Sequence, residues 1–201
     1  MEMAFYDVGK GIVTFLLWFT HRLEVEFQGE LPNKGFILAC NHVSDFDPVM
    51  LGMAFPKRIR YMAKEELFRV PVLGPIVRGL GAFPVARGKG DTGAISQAVE
   101  IVREGGVLGI FPEGGRSRDG KLHKIKSGTA VVASQTGADI VPACIVYEPR
   151  RLFRRRRVTI RIGEAIPNEA LGIAERSKSE LRAANALLGE RIAGLLGVEA
   201  P

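Results

Sequence analysis

The chain has 201 residues, of which 46% are hydrophobic and 25% charged, and its formal net charge is +6. This balance describes one globular domain with one core and excludes a disordered chain. The positive charge implies an anionic partner but does not choose among nucleic acid, an acidic carrier protein and an anionic lipid surface.

The N-terminal stretch "MAFYDVGKGIVTFLLWFT" is apolar without interruption only from Gly11 to Phe19, whereas a spanning helix needs roughly 20 such residues. A full crossing is not expected. Glu2 and Asp7 stand where a secretory signal would carry basic residues. On a helical wheel Phe5, Val8, Ile12, Phe15, Leu16 and Phe19 share one face, with Asp7, Lys10, Thr14 and His21 opposite. The pattern predicts an amphipathic helix within residues 1–23 that lies in a membrane interface, with Trp18 and Phe19 at the headgroup boundary. The alternative is a helix packed on the protein's own core.

Residues 24–201 read as a single domain. Strand-like runs "LEVEFQG", "GFILAC", "RIRYMA", "GAFPV", "GVLGIFP", "DIVPACIVY" and "RVTIRIG" alternate with helix-like stretches near 48–55, 72–80, 91–104, 127–137 and 177–196. Alternation of this kind predicts an α/β layered domain with a largely parallel sheet flanked by helices. Cys40 and Cys144 both sit inside apolar runs, which fits buried thiols in a reducing compartment better than a disulfide. In such a fold, ligands bind beyond the carboxyl ends of the strands.

The first residues beyond such an end are "CNHVSDFDPVM", with His42 and, five positions on, Asp47. Extended chain would hold the two roughly 16 Å apart, whereas a tight turn into a helix brings them together. Ser44, Asp45 and Asp47 are N-cap residue types, and Pro48 suits the first helical position. An aspartate accepting from one imidazole nitrogen fixes the tautomer and leaves the other nitrogen free as a base. No serine or cysteine stands in a nucleophile-elbow context, so direct attack of a substrate hydroxyl on an acyl carbonyl is the simplest chemistry.

The second informative loop is "FPEGGRSRDGKLHKIKSG", residues 111–128, with Glu113, Arg116, Arg118, Lys121, Lys124 and Lys126 among glycines. Glycines let backbone amides approach an anion, and guanidinium forks match phosphate oxygens in pairs. A third segment, "GLGAFPVARGKG", ends its short strand near Arg87.

In this order "NHVSDFDP", "GAFPVAR", "FPEGGRS" and "IVPACIV" resemble the four blocks of the glycerolipid acyltransferase family, and the likeness covers most of residues 24–165. It is greatest to the bacterial 1-acylglycerol-3-phosphate acyltransferases, which acylate the 2-hydroxyl of lysophosphatidic acid at the membrane to give phosphatidic acid. The resemblance implies His42 as general base and Asp47 as its orienting partner. It also implies Arg87, Glu113, Gly114, Arg116 and Ser117 as the site for the acceptor's glycerol phosphate; Lys121 and Lys126, in the same basic loop, are candidates for further acceptor contacts. Gly115 departs from the pattern, since the family usually has threonine there.

A thioester is already activated, so no metal or resident cofactor is expected; acyl-CoA or acyl carrier protein would be the co-substrate. The implied location is peripheral or monotopic on the cytoplasmic face of the cell membrane. The run "PRRLFRRRR", residues 149–157, is either a solvated loop or a contact for anionic headgroups or an acidic carrier protein. Two alternatives stay open. One keeps the base but takes glycerol 3-phosphate, another lysophospholipid or an amino-lipid as acceptor. The other is a non-enzymatic basic module binding lipid or nucleic acid; few aromatics and no helix-turn-helix accompany the basic runs, which sets nucleic acid aside as a partner.

Overall fold

The computed structural model describes residues 11, 14–15, 17–71, 73–79, 81–85, 92–149 and 154–201. Strand β2 (Phe36–Cys40) is buried at every position. Its alternate side chains enter two different cores, Phe36, Leu38 and Cys40 one and Ile37 and Ala39 the other. A strand with two apolar faces needs a layer on each side, and β2 accordingly occupies the centre of the sheet. Around it lie β1 (His21–Phe27), β3 (Ile59–Lys64), β4 (Phe83–Val85), β5 (Val107–Ile110), β6 (Ile140–Tyr147) and β7 (Arg156–Ile162). Among the described residues they form one seven-stranded sheet in the order β1-β7-β6-β2-β5-β3-β4. Every neighbouring pair is parallel except β6 and β7.

One face is covered by α3 (Thr92–Arg103), α4 (Gly128–Thr136) and α5 (Lys178–Leu196), which supply Ala98, Val102, Val132, Leu188 and Ile192 to its core. The other is covered by α1 (Asp47–Ala54) through Met50 and Leu51, with Phe55 just beyond. Each large aliphatic or aromatic side chain so buried contributes about 1.5–3 kcal/mol of transfer free energy. Helix α2 (Leu73–Gly79) packs on a 3-10 turn, Glu65–Arg69, in the crossover from β3 to β4. Helix α5 starts on a reciprocal cap: Ser177 Oγ accepts from the Glu180 amide at 3.3 Å, and Glu180 accepts from the Ser177 amide at 2.9 Å.

The α/β layered fold expected from the alternation is the fold observed, and strand and helix ends fall within two residues of the expected ones. Two details differ. The 3-10 turns at Glu65–Arg69 and Asn168–Leu171 carry no periodic signal. Residues 21–23, assigned to the interfacial helix, belong to β1 instead, because the Arg156 amide donates to Thr20 O at 2.8 Å and opens the β1–β7 ladder. Before that point residues 14, 15, 17 and 18 are helical, and Phe15, Trp18 and Phe19 are 64%, 56% and 58% exposed. The rest of the expected apolar face, Phe5, Val8, Ile12 and Leu16, lies outside the described residues. No helix among the described residues is long and apolar enough to cross a membrane.

Candidate active site

Because β2 to β6 run in one direction, their carboxyl ends meet at one edge of the sheet, and the reversed β1 and β7 bring their amino ends to that edge. The loop after β2 carries His42, and α1 begins at Asp47. Here the expected capping does not occur: the N-cap is Phe46, without a side-chain cap, and Pro48 follows Asp47 in the first turn. The Asp47 carboxylate turns back instead. Its Oδ2 accepts from His42 Nδ1 at 2.8 Å, from the Val43 amide at 2.7 Å and from the Ser44 amide at 2.8 Å. Its Oδ1 accepts from Tyr147 Oη at 2.8 Å. Asp47 is fully buried, and four donors offset the desolvation of its charge. Donation from Nδ1 to this carboxylate leaves His42 Nε2 as the acceptor, the tautomer a general base needs.

The imidazole is also held by its face and its backbone. Phe111 stacks on it at 4.1 Å between centroids, and Tyr61 stacks on Phe111 at 5.9 Å. Gly109, directly opposite Tyr61 in the β3–β5 pair, makes room for that ring, since a β-carbon there would run into it. The His42 amide donates to Glu113 Oε1 at 2.8 Å, and His42 O accepts from the Ser117 amide at 2.8 Å. Glu113 Oε2 accepts from the His123 amide at 2.9 Å. The loop after β5 is thus clamped to the loop after β2 on both sides of the histidine.

The other expected residues are distributed as follows. Glu113 is buried with both carboxylate oxygens on backbone amides, so it holds the loop together. Ser117 is buried too, and its hydroxyl donates to Asp119 Oδ1 at 2.8 Å. Gly114 has φ of 70°, and a β-carbon there would lie 2.6 Å from Lys126 Nζ, so Lys126 lies across this glycine. Arg116 is half exposed and paired with the carboxylate of Asp45. Lys121 is exposed, with its amide on Asp119 Oδ1 at 3.2 Å. Arg87 lies outside the described residues. A β-carbon at Gly115 meets nothing within 4 Å, which leaves room for the family's threonine.

Several residues here escaped the sequence reading. Asn41 continues the β2–β6 pairing with its side chain, accepting from the Ile145 amide at 2.8 Å and donating to Ile145 O at 3.1 Å. Its place beside His42 was the available signal. Asp45 was read only as an N-cap type, and Tyr147 carried no signal. Asp119 and His123 form an ion pair at 2.8 Å in the basic loop; the hydrogen bond from His123 holds the Asp119 carboxyl below its ordinary range, and the same bond raises the His123 imidazole.

The chain was compared with known proteins. Residues 22–146 match the acyltransferase family model. The chain belongs to the acyltransferase family. It is 32% identical over 163 residues to the 1-acyl-sn-glycerol-3-phosphate acyltransferase of Bacillus subtilis, covering 80% of each chain. It is 30% identical over 172 residues to that of Streptococcus pneumoniae, covering 82% of this chain and 64% of the relative. The crystal structure of the 1-acyl-sn-glycerophosphate acyltransferase PlsC from Thermotoga maritima superposes with a TM-score of 0.67 at 25% identity, covering 98% of this chain and 78% of the other.

One outcome tests the basic loop of this acyltransferase. In NMR titrations the His123 ring should deprotonate above the ordinary histidine value, and Asp119→Asn should bring it down, because both the hydrogen bond and the charge are lost. An unchanged midpoint would mean that the pair does not form in solution.

Proposed function

We propose that the protein transfers a fatty acyl group from an acyl thioester to the 2-hydroxyl of 1-acylglycerol 3-phosphate at a membrane surface, giving phosphatidic acid. The observation that carries this reading is the His42–Asp47 pair at 2.8 Å, on a backbone hydrogen-bonded to a basic, glycine-containing loop. The names of the relatives give the acceptor class. In the reaction His42 Nε2 takes the proton of the acceptor hydroxyl as its oxygen attacks the thioester carbonyl. The tetrahedral intermediate collapses with cleavage of the C–S bond, and the imidazolium returns the proton to the departing thiolate. Asp47 holds the ring and balances its charge while it is protonated.

Arg116, Lys126 and the backbone at Gly114 would hold the acceptor phosphate, joined by Arg87, while Glu113 and Ser117 keep their loop in shape and Lys121 lies at the rim. Asp45 pairs with Arg116, so a phosphate bound by that guanidinium would displace it. Acyl-CoA or acyl carrier protein would be the donor, with no resident cofactor. Docking to anionic lipid on the cytoplasmic face of the membrane rests on exposed Phe15, Trp18 and Phe19, with the Arg155 guanidinium 5.0 Å over the Trp18 ring. These groups sit at the sheet edge that carries His42, next to the amino ends of β1 and β7.

The base is tested with purified protein, a radiolabelled acyl thioester and a panel of acceptors. His42→Ala should stay folded and lose at least about 10²-fold in turnover, and Asp47→Asn should be severely impaired as well. Near-normal turnover by folded His42→Ala would remove the mechanism.

The acceptor site is read from steady-state kinetics. Arg116→Ala should lower acceptor efficiency by about tenfold or more and leave the thioester KM nearly unchanged, the scale of a charge-assisted hydrogen bond. Asp45→Asn should move the acceptor KM the other way, down by up to about fivefold, since an exposed ion pair contributes at most about 1 kcal/mol. If neither variant moves the acceptor KM, the phosphate binds elsewhere.

Membrane docking is read from co-sedimentation with anionic liposomes. Glu at both Phe15 and Phe19 should weaken binding in a protein that stays folded, because apolar area is lost from the interface. Salt should weaken only the arginine part. Equal co-sedimentation of the double variant would return the segment to a packing role.

A further inference from the structure

The last residue of β6, Tyr147, lies 100 positions from Asp47 in the chain, yet its phenol donates to Asp47 Oδ1 at 2.8 Å. Its placement follows from pairing. β6 lies beside β2 with Cys40 opposite Ala143, and Asn41 extends that ladder to Ile145. Two residues on, the pleat turns Tyr147 to the same face as Ile145, the face that α1 covers. There the ring is half-buried, with the Arg156 guanidinium 4.8 Å above it. Arg156 is itself tied to Glu148 O through Nε at 2.8 Å.

We infer that Tyr147 is a positioning residue of the catalytic pair: its phenol holds the second oxygen of Asp47, so that Oδ2 stays directed at His42 Nδ1. The inference rests on the reading of His42 as the base. The three donors on Oδ2 lie in the short segment His42–Ser44, so they move with the loop. Tyr147 is the donor from the sheet, and it ties the carboxylate to the rigid centre of the fold. It also spreads part of the carboxylate charge. Burial, and then the charge of Asp47, push the phenol well above its ordinary range, so it remains a donor at any working pH. The charged and titratable groups around the pair, besides Tyr147, are Cys40 at the end of β2, Glu113 from the loop after β5, and Arg156 from β7.

The test is steady-state kinetics across pH on the full chain, with long-chain acyl-CoA and lysophosphatidic acid in detergent micelles, for the parent protein, Tyr147→Phe and a protein carrying 3,5-difluorotyrosine at 147. Tyr147→Phe should lose about tenfold in kcat with both KM values nearly unchanged, the pattern of a group that acts on the reacting pair. The ascending limb of its kcat–pH profile should move to higher pH, since a carboxylate without this donor keeps the dyad protonated longer. Difluorotyrosine, a stronger donor of almost the same shape, should move the limb to lower pH. A limb at one pH in all three proteins, with any loss of rate following a loss of thermal stability, would reduce Tyr147 to a packing residue. A higher acceptor KM with unchanged kcat would also overturn the inference. His42→Ala in the same assay separates the two ideas: its inactivity beside a normal Tyr147→Phe removes the role of Tyr147 and keeps the base, whereas an active His42→Ala removes both.

Discussion

A buried carboxylate organises the site. Asp47 has no solvent exposure, and an ionised group so placed costs several kcal/mol unless donors replace the lost water. Its donors come from two parts of the chain: the segment His42–Ser44, with the imidazole and the two amides that follow it, and the phenol at the end of β6. Satisfying that charge therefore requires the turn after β2, the start of α1 and the β2–β6 register to be correct together. The first turn of α1 forgoes a side-chain cap to achieve this, because the carboxylate that would serve as one faces the histidine. A side-chain cap on the helix is given up for an imidazole held in one orientation.

The same economy is visible in the loop after β5. A carboxylate beside a presumed phosphate site would repel the substrate, yet Glu113 is committed on both oxygens to amides of His42 and His123. It acts as a strut between the base loop and the basic loop, and the positive groups Arg116 and Lys126 are left on the open side. Phe111 at the start of that loop becomes the surface against which the imidazole stacks, backed by Tyr61 and by the absence of a side chain at Gly109. Packing and chemistry share these residues, so each constrains the other.

Strand direction explains why the surface features gather where they do. Five strands end at one edge, and the reversal between β6 and β7 brings Arg154–Arg157 and the end of the aromatic N-terminal segment to it as well. The charged rows along the outer pair, Glu24 with Arg157 at 3.4 Å and Glu26 with Arg161 at 2.9 Å, also mark that edge of the sheet as solvated.

Much of this was legible in one dimension because its causes are local. Alternating apolar runs and helical periods marked all seven strands and five helices among the described residues, since burial on a pleat or a helix face imposes those periods directly. The pair His42 and Asp47 was readable because a tight turn can join residues five apart, and the basic loop because glycine and arginine cluster in sequence. What needed the tertiary structure is long-range or depends on competition for donors. Tyr147 and Asn41 act through a parallel β2–β6 register that no local pattern encodes. Asp47 as a turned-back acceptor rather than a cap, and Glu113 as an acceptor for two loop amides, followed from which donors the fold places within reach. The sequence by itself determined the layers and the chemical groups available. Which atoms of those groups face one another was decided only when strands distant in the chain were paired, because a hydrogen bond about 3 Å long depends on positions that sequence spacing does not specify.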